Sequence, residues 1–401
     1  MEMDEKGCSL FLSQVFHDTS FEAKLSAPVK KSVFEWLSGS AEIQISPDFF
    51  DRQERYINVK NGVVDLVTGR LKKHNAKRYG FLGQLPFKYK PDYAKKGKLP
   101  KRFREMLIRT FPDFDDQKRF LQCLAYLISG DCSKKVAFFW VGDPHTGKST
   151  FQRLVTQIVG KENVSNIPLA KFSDRFSVAR MFGKKLNMAG ETGTASLKAL
   201  ENFKSAVGND WLDAEYKGKD HFSFLATAKN LFCGNSIPVL DSSCAEQAVF
   251  DRFEFLKFEN PLPSEQQVPF FERELLEKEG DEILTVIIEE LRQYYREGRQ
   301  FVESTSSVEL KKRFIKGCKL TDSVRSFIKD CCEIAAEKNV SSLQLCDVYS
   351  RYCNANGFTP LAKNAFIRAL IAKGPFTPKK FHPSRNMEYR GVKGIALREN
   401  C

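Results

Sequence analysis

The segment VAFFWVGDPHTGKSTFQRLVTQIV (136–159) decides the fold of this chain. It consists of an apolar run, a glycine-containing loop and an amphipathic helix. The loop GDPHTGKS (142–149) fits the pattern G-x-x-x-x-G-K-S/T in full. Between a strand and a helix, such a loop turns its backbone N–H groups toward a phosphate, and the positive end of the helix adds to the attraction. The segment therefore predicts a nucleotide-binding α/β domain.

The residue types of the loop predict individual roles. Gly142 and Gly147 let the backbone curl, Lys148 reaches the outer phosphates, and the Ser149 hydroxyl is a ligand for Mg²⁺. The expected cofactors are ATP and Mg²⁺, since the sequence contains no guanine-reading Asn-Lys-x-Asp element. The predicted ATP-binding residues are Gly142, Asp143, Pro144, His145, Thr146, Gly147, Lys148, Ser149 and Thr150.

The pattern along the chain predicts three units, at 1–100, 101–300 and 301–401. In the middle unit, apolar runs at 186–190, 230–234 and 253–258 alternate with helical stretches, which is typical of a parallel sheet with crossover helices. In the first unit, 57–72 predicts a small hairpin. In the last unit, helices at 323–337, 342–357 and 363–374 precede two β-like strips around a turn at 384–386.

The charge is positive and unevenly distributed. The 401 residues carry a net charge of +13. Residues 70–109 contain 14 basic and 2 acidic side chains, and residues 301–401 contain 18 and 9. Two basic flanks favour a polyanion partner such as DNA or RNA. No apolar stretch reaches the roughly 20 residues of a membrane span, and the spacing of the 11 Cys favours free thiols. We therefore expect a cytoplasmic protein without a membrane partner.

The order of motifs from Val136 to Phe258 resembles that of superfamily III helicases, and more narrowly that of the phage, plasmid and poxvirus primase-helicases. The resemblance implies an AAA+ like P-loop core between an N-terminal, mostly helical collar and a C-terminal winged helix. KKLNMAGETG (184–193) resembles the second ATPase motif, so Glu191 would hold Mg²⁺ and orient the attacking water. Asp210 is a candidate assistant. NLFCGNSIP (230–238) resembles motif C, in which Asn235 would sense the γ-phosphate.

Two further segments resemble motifs that act beyond the nucleotide site of one subunit. FKSAVGNDWLDAEYKGKDHFSF (203–224) resembles the DNA-binding hairpin of the superfamily, and its tight turn gathers cations that can grip backbone phosphates. The hairpin candidates are Lys217, Lys219 and His221, and Lys204 matches a lysine that points toward a neighbour's nucleotide. AVFDRFEFLKF (248–258) resembles the arginine-finger segment with Arg252 as the finger; an ion pair with Asp251 is the alternative.

The resemblance implies an ATP-dependent replicative DNA helicase of a virus, phage or mobile element that translocates on single-stranded DNA as a homo-hexameric ring. Forked DNA and a primase or polymerase of the same replicon are further expected partners. Two alternatives stay open: a replication initiator that melts an origin, and an ATP-gated assembly factor that does not unwind. Asp113, Asp115 and Asp116 are predicted to cap a helix, so no primase activity is assigned.

Overall fold

The computed structural model describes most of the chain in ten main segments. These are residues 26–40, 54–81, 83–190, 197–218, 220–238, 247–320, 323–356, 360–384, 387–398 and the pair 12–13, together with residue 358. Within these ranges, no helix has the length and apolarity that a bilayer crossing requires.

The first unit combines short helices with a small sheet. Its elements are α1 (Ala27–Gly39), β1 (Tyr56–Val59), β2 (Gly62–Asp65), β3 (Leu71–Lys72), α2 (Ala76–Tyr79) and α3 (Pro91–Ala94). The three strands are antiparallel in the order β1-β2-β3, which confirms the predicted hairpin unit. Buried Asp65 accepts hydrogen bonds from Arg55 (2.8 Å) and Lys72 (2.9 Å), which hold its pKa well below the usual value and fix the sheet.

The middle unit contains a five-stranded parallel sheet, as predicted. Its strands are β4 (Ala137–Gly142), β5 (Val164–Ser165), β6 (Leu186–Ala189), and, after the hairpin β7 (Trp211–Glu215) and β8 (His221–Leu225), β9 (Lys229–Gly234) and β10 (Phe253–Phe258). The order is β10-β4-β9-β6-β5. Four strands fall on the predicted apolar runs. The sequence did not indicate β5, because a strand of two residues has no detectable periodicity.

Helices cover both faces of this sheet. They are α4 (Lys101–Thr110), α5 (Phe114–Ile128), α6 (Lys148–Val159), α7 (Arg175–Val178), α8 (Leu197–Gly208), α9 (Gln247–Phe250), α10 (Phe271–Arg296) and α11 (Thr305–Leu320). Along β4, Phe138 and Trp140 pack into one hydrophobic cluster, whereas Phe139 and Val141 pack into the other. This alternation buries both faces of the strand. Asp113 caps α5 by accepting from two backbone N–H groups, as predicted.

The first and middle units share one core. Val59 and Val64 of the small sheet belong to the same hydrophobic cluster as residues of α5, α6 and α10. Tyr89 anchors the linker to α10 through a 2.6 Å hydrogen bond to Glu289. Helix α10 has 26 residues, from Phe271 to Arg296, and is long enough to contact both the sheet-covering helices and the N-terminal unit.

The last unit has a hydrophobic cluster of its own. Its elements are α12 (Ser323–Cys331), β11 (Cys332–Ser341), α13 (Ser342–Ala355), α14 (Lys363–Ala372), β12 (Thr377–Ser384) and β13 (Met387–Leu397). The strands form an antiparallel sheet in the order β11-β13-β12. Phe327, Tyr349 and Phe366 pack at its centre. Helix α11 instead packs on β10 through Leu310 and Phe314. We propose that the boundary of this unit follows residue 320 rather than residue 300.

Two predictions for this unit are wrong. The helix predicted over 323–337 ends at Cys331, and the residues after it form β11, since antiparallel pairing with β13 overrides a local preference for helix. Cys331 also takes part in a disulfide, so not every thiol is free. Spacing along the chain does not report which thiols meet in space. Cys123, Cys132, Cys233, Cys332, Cys346 and Cys353 are free thiols.

Candidate nucleotide-binding site

The phosphate loop lies between buried strand β4 and helix α6, in the strand–loop–helix context that the sequence predicts. Two of its residues have left-handed backbone conformations, His145 (φ 65°) and Gly147 (φ 93°). Such conformations within a loop turn successive N–H groups to one side and make a concave site for anions. Helix α6 starts at Lys148, so its unpaired N-terminal N–H groups point toward the same space.

Gly142 is required for a different reason from the one predicted. Its φ is not in the left-handed region. A Cβ atom at this position would lie 2.3 Å from the carbonyl oxygen of Phe258, which is its neighbour in β10. Glycine therefore makes room for a close approach of two strands at the start of the loop.

Lys148 folds back onto the loop. Its Nζ donates to the carbonyl oxygens of Gly142 and Asp143, the latter at 2.7 Å, and lies 3.4 Å from the hydroxyl of Thr146. Burial lowers the pKa of its ammonium group. Its partners are neutral, so the ammonium charge has no anionic partner within the described part of the chain. An ammonium group beside several backbone N–H donors can bind a phosphate group through charge-assisted hydrogen bonds.

Two clefts open on either side of the loop, with volumes of about 780 and 680 Å³. Their sizes are in the range of ligand pockets. Lys148 and Ser149 line the larger cleft, and Asp143 lines the smaller one. Asn235 lines both, because it directly follows β9, the neighbour of β4 in the sheet. The structure thus brings Asn235 together with the phosphate loop.

The predicted Mg²⁺ ligands are described only in part. Ser149 is exposed on the first turn of α6. Glu191 lies outside the described residues; β6, which pairs with β9, ends two residues before it at Ala189. Asp210 lies at the other edge, because the adjacent Asn209 lines a cleft with Lys229 at the start of β9. Asp210 thus lies near the end of the sheet where β9 begins, whereas the phosphate loop lies where β4 ends. In the described segments, no group of three or more His, Cys, Asp or Glu side chains is arranged to hold a metal ion.

Arg252 lies at the opposite edge of the sheet from the loop. It precedes β10, which is parallel to β4, and its carbonyl oxygen accepts from Ala137 N at 2.7 Å. Its guanidinium donates to the carbonyl of Ala248, and its buried Nε has no partner. Asp251 accepts from Gln247 instead, so the two described side chains do not form the alternative ion pair. At about 3.3 Å per residue, the six residues of β10 place Arg252 about 20 Å from the loop.

The predicted hairpin consists of β7 and β8, with Glu215 opposite His221. Lys217 is exposed at its turn beside Gly218 (φ 76°), whereas Lys219 lies outside the described residues. His221 is at the base of the turn, where its Nδ1 is 3.2 Å from Glu215 and 3.2 Å from Arg175. Lys204 is half-buried on α8.

The structure adds cations that the motifs did not indicate. Arg109, in the last turn of α4, lines the larger cleft, and Arg313 of α11 lines the smaller one together with Lys257. Arg109 and Arg313 belong to none of the recognised motifs, whereas Lys257 falls within the segment 248–258 that resembles the arginine-finger motif. The only sequence signal for Arg109 is its place in the basic stretch 70–109, which suggested a nucleic-acid partner rather than a nucleotide.

Two family models match parts of the chain. A family model described as "D5 N terminal like" matches residues 17–112, and "Family of unknown function (DUF5906)" matches residues 140–247, which include the phosphate loop and Asn235. The chain is 25% identical over 242 residues to "Putative helicase 121R" of Invertebrate iridescent virus 3. That match covers 58% of this chain and 25% of the relative, so the chain spans about a quarter of the relative's length.

Solved structures of the NrS-1 C terminal region are also similar. The apo structure of residues 305–718 has a TM-score of 0.46 at 14% identity, and the match covers 79% of this chain and 80% of that chain. The A form apo structure has a TM-score of 0.45 at the same identity and coverage.

Proposed function

Because the chain belongs to the family of phage and viral primase-helicases, we propose that it is an ATP-dependent replicative DNA helicase that translocates on single-stranded DNA as a hexameric ring. The predicted resemblance to phage and viral primase-helicases is confirmed, and the match begins at residue 17, well before the hairpin unit. The activity, the ring and the DNA substrate are the proposal, and the geometry of the site supports them.

The separation of Arg252 from the loop carries this proposal. About 20 Å of rigid strand lies between them, which an arginine side chain cannot span. Yet Arg252 has an unpaired, buried Nε and donates only to a neutral carbonyl within the described segments. Phosphoryl transfer by enzymes of this type commonly uses an arginine supplied by a neighbouring molecule. In a ring, each Arg252 would reach the loop of the next subunit.

Within one subunit, each remaining residue has a specific task. Lys148 leaves the loop carbonyls and binds the outer phosphates of ATP, and Asn235 contacts the γ-phosphate from the end of β9. Glu191 orients the attacking water. Ser149 and Glu191 would hold Mg²⁺, which would neutralise charge on the phosphates when bound. Lys204 faces the neighbour's nucleotide.

DNA would bind at two places. Lys217, at the turn of the β7–β8 hairpin, contacts the phosphates of the translocating strand together with Lys219, two residues later in the sequence, and with His221 at the start of β8. The last unit has helix–strand–helix–helix–hairpin topology, as in a winged helix, and its strands carry exposed Lys379 and Arg390. This second observation favours the replication initiator as the alternative function, since such a unit can bind duplex DNA. Sequence-specific binding of origin DNA by the full chain would support the initiator.

A mixing experiment tests the ring. Arg252→Ala should bind ATP normally but hydrolyse it about 10³–10⁵-fold more slowly. Lys148→Ala, which keeps the finger but loses the loop cation, should be equally inactive. When the two variants are mixed, some interfaces combine an intact loop with an intact finger, so part of the ATPase activity should return. If Arg252→Ala alone hydrolyses ATP at the wild-type rate, Arg252 is not the finger and the proposal loses its main support.

A further inference from the structure

Among the residues that the structure describes, Arg109 is a cation beside the phosphate loop that forms no ion pair. Its Nη1 is buried and makes no hydrogen bond. Its Nη2 lies 3.6 Å from the position that a Cβ atom on Gly147 would occupy. A guanidinium group has five N–H donors, and leaving a buried one unpaired is unfavourable. Burial lowers the pKa of this group, in accordance with its poor solvation.

The other arginines of the same cleft are neutralised. Arg102 pairs with Glu274 at 2.8 Å, and Arg153 pairs with Glu272 at 2.9 Å. Among the described residues, Arg109 forms no ion pair. Like Lys148, it therefore lines the cleft as a positive charge with no ion pair in the described segments, although Glu105 lines the same cleft. A structural arginine at this depth would be expected to pair with a carboxylate, as its two neighbours do.

The backbone around Arg109 is firmly positioned. Its carbonyl oxygen accepts from Asn260 Nδ2 at 2.9 Å. The nearby Phe111 packs against Phe258 and Phe120, with ring centroids 4.9 and 4.8 Å apart. Helix α4 is thus attached to the end of β10 and to the core beneath the loop. The backbone that carries the Arg109 side chain is therefore held at a fixed place beside the loop, which limits where the guanidinium can lie.

We infer that Arg109 binds a phosphate oxygen of the nucleotide from the side of α4, within the same subunit as the loop. This inference rests on the proposed nucleotide site and adds a contact that none of the recognised motifs contains. The ligand it requires is an oligophosphate anion, which pairs with a guanidinium through charge-assisted hydrogen bonds. Such a bond corresponds to roughly 10–150-fold in affinity. In this arrangement Lys148 and Arg109 approach the phosphates from two sides.

The test uses the full chain and a fluorescent ATP analogue that cannot be hydrolysed. Arg109→Met should weaken binding by roughly 10–100-fold. Arg104→Ala, an exposed arginine on the same helix, is the control and should bind like the wild type. Because the wild-type guanidinium is unpaired when no nucleotide is bound, Arg109→Met should unfold at the same temperature as the wild type or at a higher one. Its nucleotide-induced rise in unfolding temperature should be smaller.

The outcomes separate the two hypotheses. If the wild type does not bind the analogue, or if Lys148→Ala binds it normally, the proposed nucleotide site itself is wrong. If Lys148→Ala loses binding while Arg109→Met keeps wild-type affinity, only the role of Arg109 is wrong. A lower unfolding temperature with an unchanged nucleotide-induced rise would make Arg109 a structural residue. Should Arg109→Met fail to fold, Arg109→Lys and Arg109→Gln replace it, and equal affinities of these two would overturn the inference.

Discussion

The two glycines of the phosphate loop allow a matched test of why each is there. In Gly142→Ala, the new Cβ would lie 2.3 Å from the carbonyl oxygen of Phe258 and 2.8 Å from its Cβ. Favourable contacts of carbon atoms need about 3.5 Å, so the end of β10 must move by about 1 Å. That movement breaks the last pair of the β4–β10 ladder. Overpacking of this kind costs about 1–3 kcal/mol, and we expect about 3 kcal/mol because the obstacle is backbone.

Gly147→Ala should be milder. The nearest atoms to its new Cβ are 3.6 Å away or more, so there is space for the methyl group. The expected destabilisation of Gly147→Ala comes instead from the left-handed φ of 93°, which costs about 1–2 kcal/mol for a residue with a side chain. Gly142→Ala should therefore be less stable than Gly147→Ala by about 1–2 kcal/mol.

Urea unfolding without nucleotide measures this difference. Trp140 is fully buried in β4, next to the altered strand pair, whereas Trp36 and Trp211 are 71% and 68% exposed. The change in fluorescence on unfolding will therefore come mainly from Trp140. If Gly147→Ala is destabilised as much as Gly142→Ala or more, steric exclusion by Phe258 is not the reason for glycine at 142.

Three other predictions concern function. Lys148→Ala should abolish ATP hydrolysis, since the charge on the outer phosphates loses several kcal/mol of stabilisation, and wild-type turnover by this variant would place the nucleotide elsewhere. Lys217→Ala should spare basal ATPase activity but weaken single-stranded DNA binding, and the salt dependence of the binding constant should fall by about one unit of slope. Lys161→Ala, at another exposed lysine, is the control. An unchanged slope would mean that the hairpin is only a surface turn. The double variant Lys379→Ala, Arg390→Ala should lose ATP-independent binding of duplex DNA at about 50 mM salt. If the variant still binds duplex DNA, β12 and β13 contact protein rather than DNA.

The sequence predicted the parts of the site that are local. The phosphate loop needs a strand before it and a helix after it, and all three lie within 24 consecutive residues. The strands β4, β6, β9 and β10 are buried between helices on both faces, so they appear as continuous apolar runs. Even the cap at Asp113 depends only on residues two and three positions away.

Features that depend on distant pairing could not be predicted. Residues 332–337 contain Ala and Glu, which favour helices, and only the partner strand β13, about 60 residues later, makes them a strand. Arg109 is one of 14 basic residues in its stretch. Its proximity to Gly147 depends on how α4 packs against α6 and β10, which no local pattern encodes. A trans role of Arg252 was suggested by resemblance alone and stays a proposal, which strand polarity supports because it places Arg252 about 20 Å from its own loop.

Strand β10 links the proposed arginine finger, the phosphate loop and the last unit. Its first residue follows Arg252, and its last residue contacts the start of the phosphate loop. Between them, Glu254 pairs with Arg119 of α5 and with Lys311 of α11 at 3.2 Å. Helix α11 leads directly into the last unit. Since a paired strand is stiff along its length, β10 fixes the distance between the finger and the loop of its own subunit. Under the proposed function, the finger of a neighbouring subunit would complete the site, so hydrolysis would depend on the arrangement of the subunits.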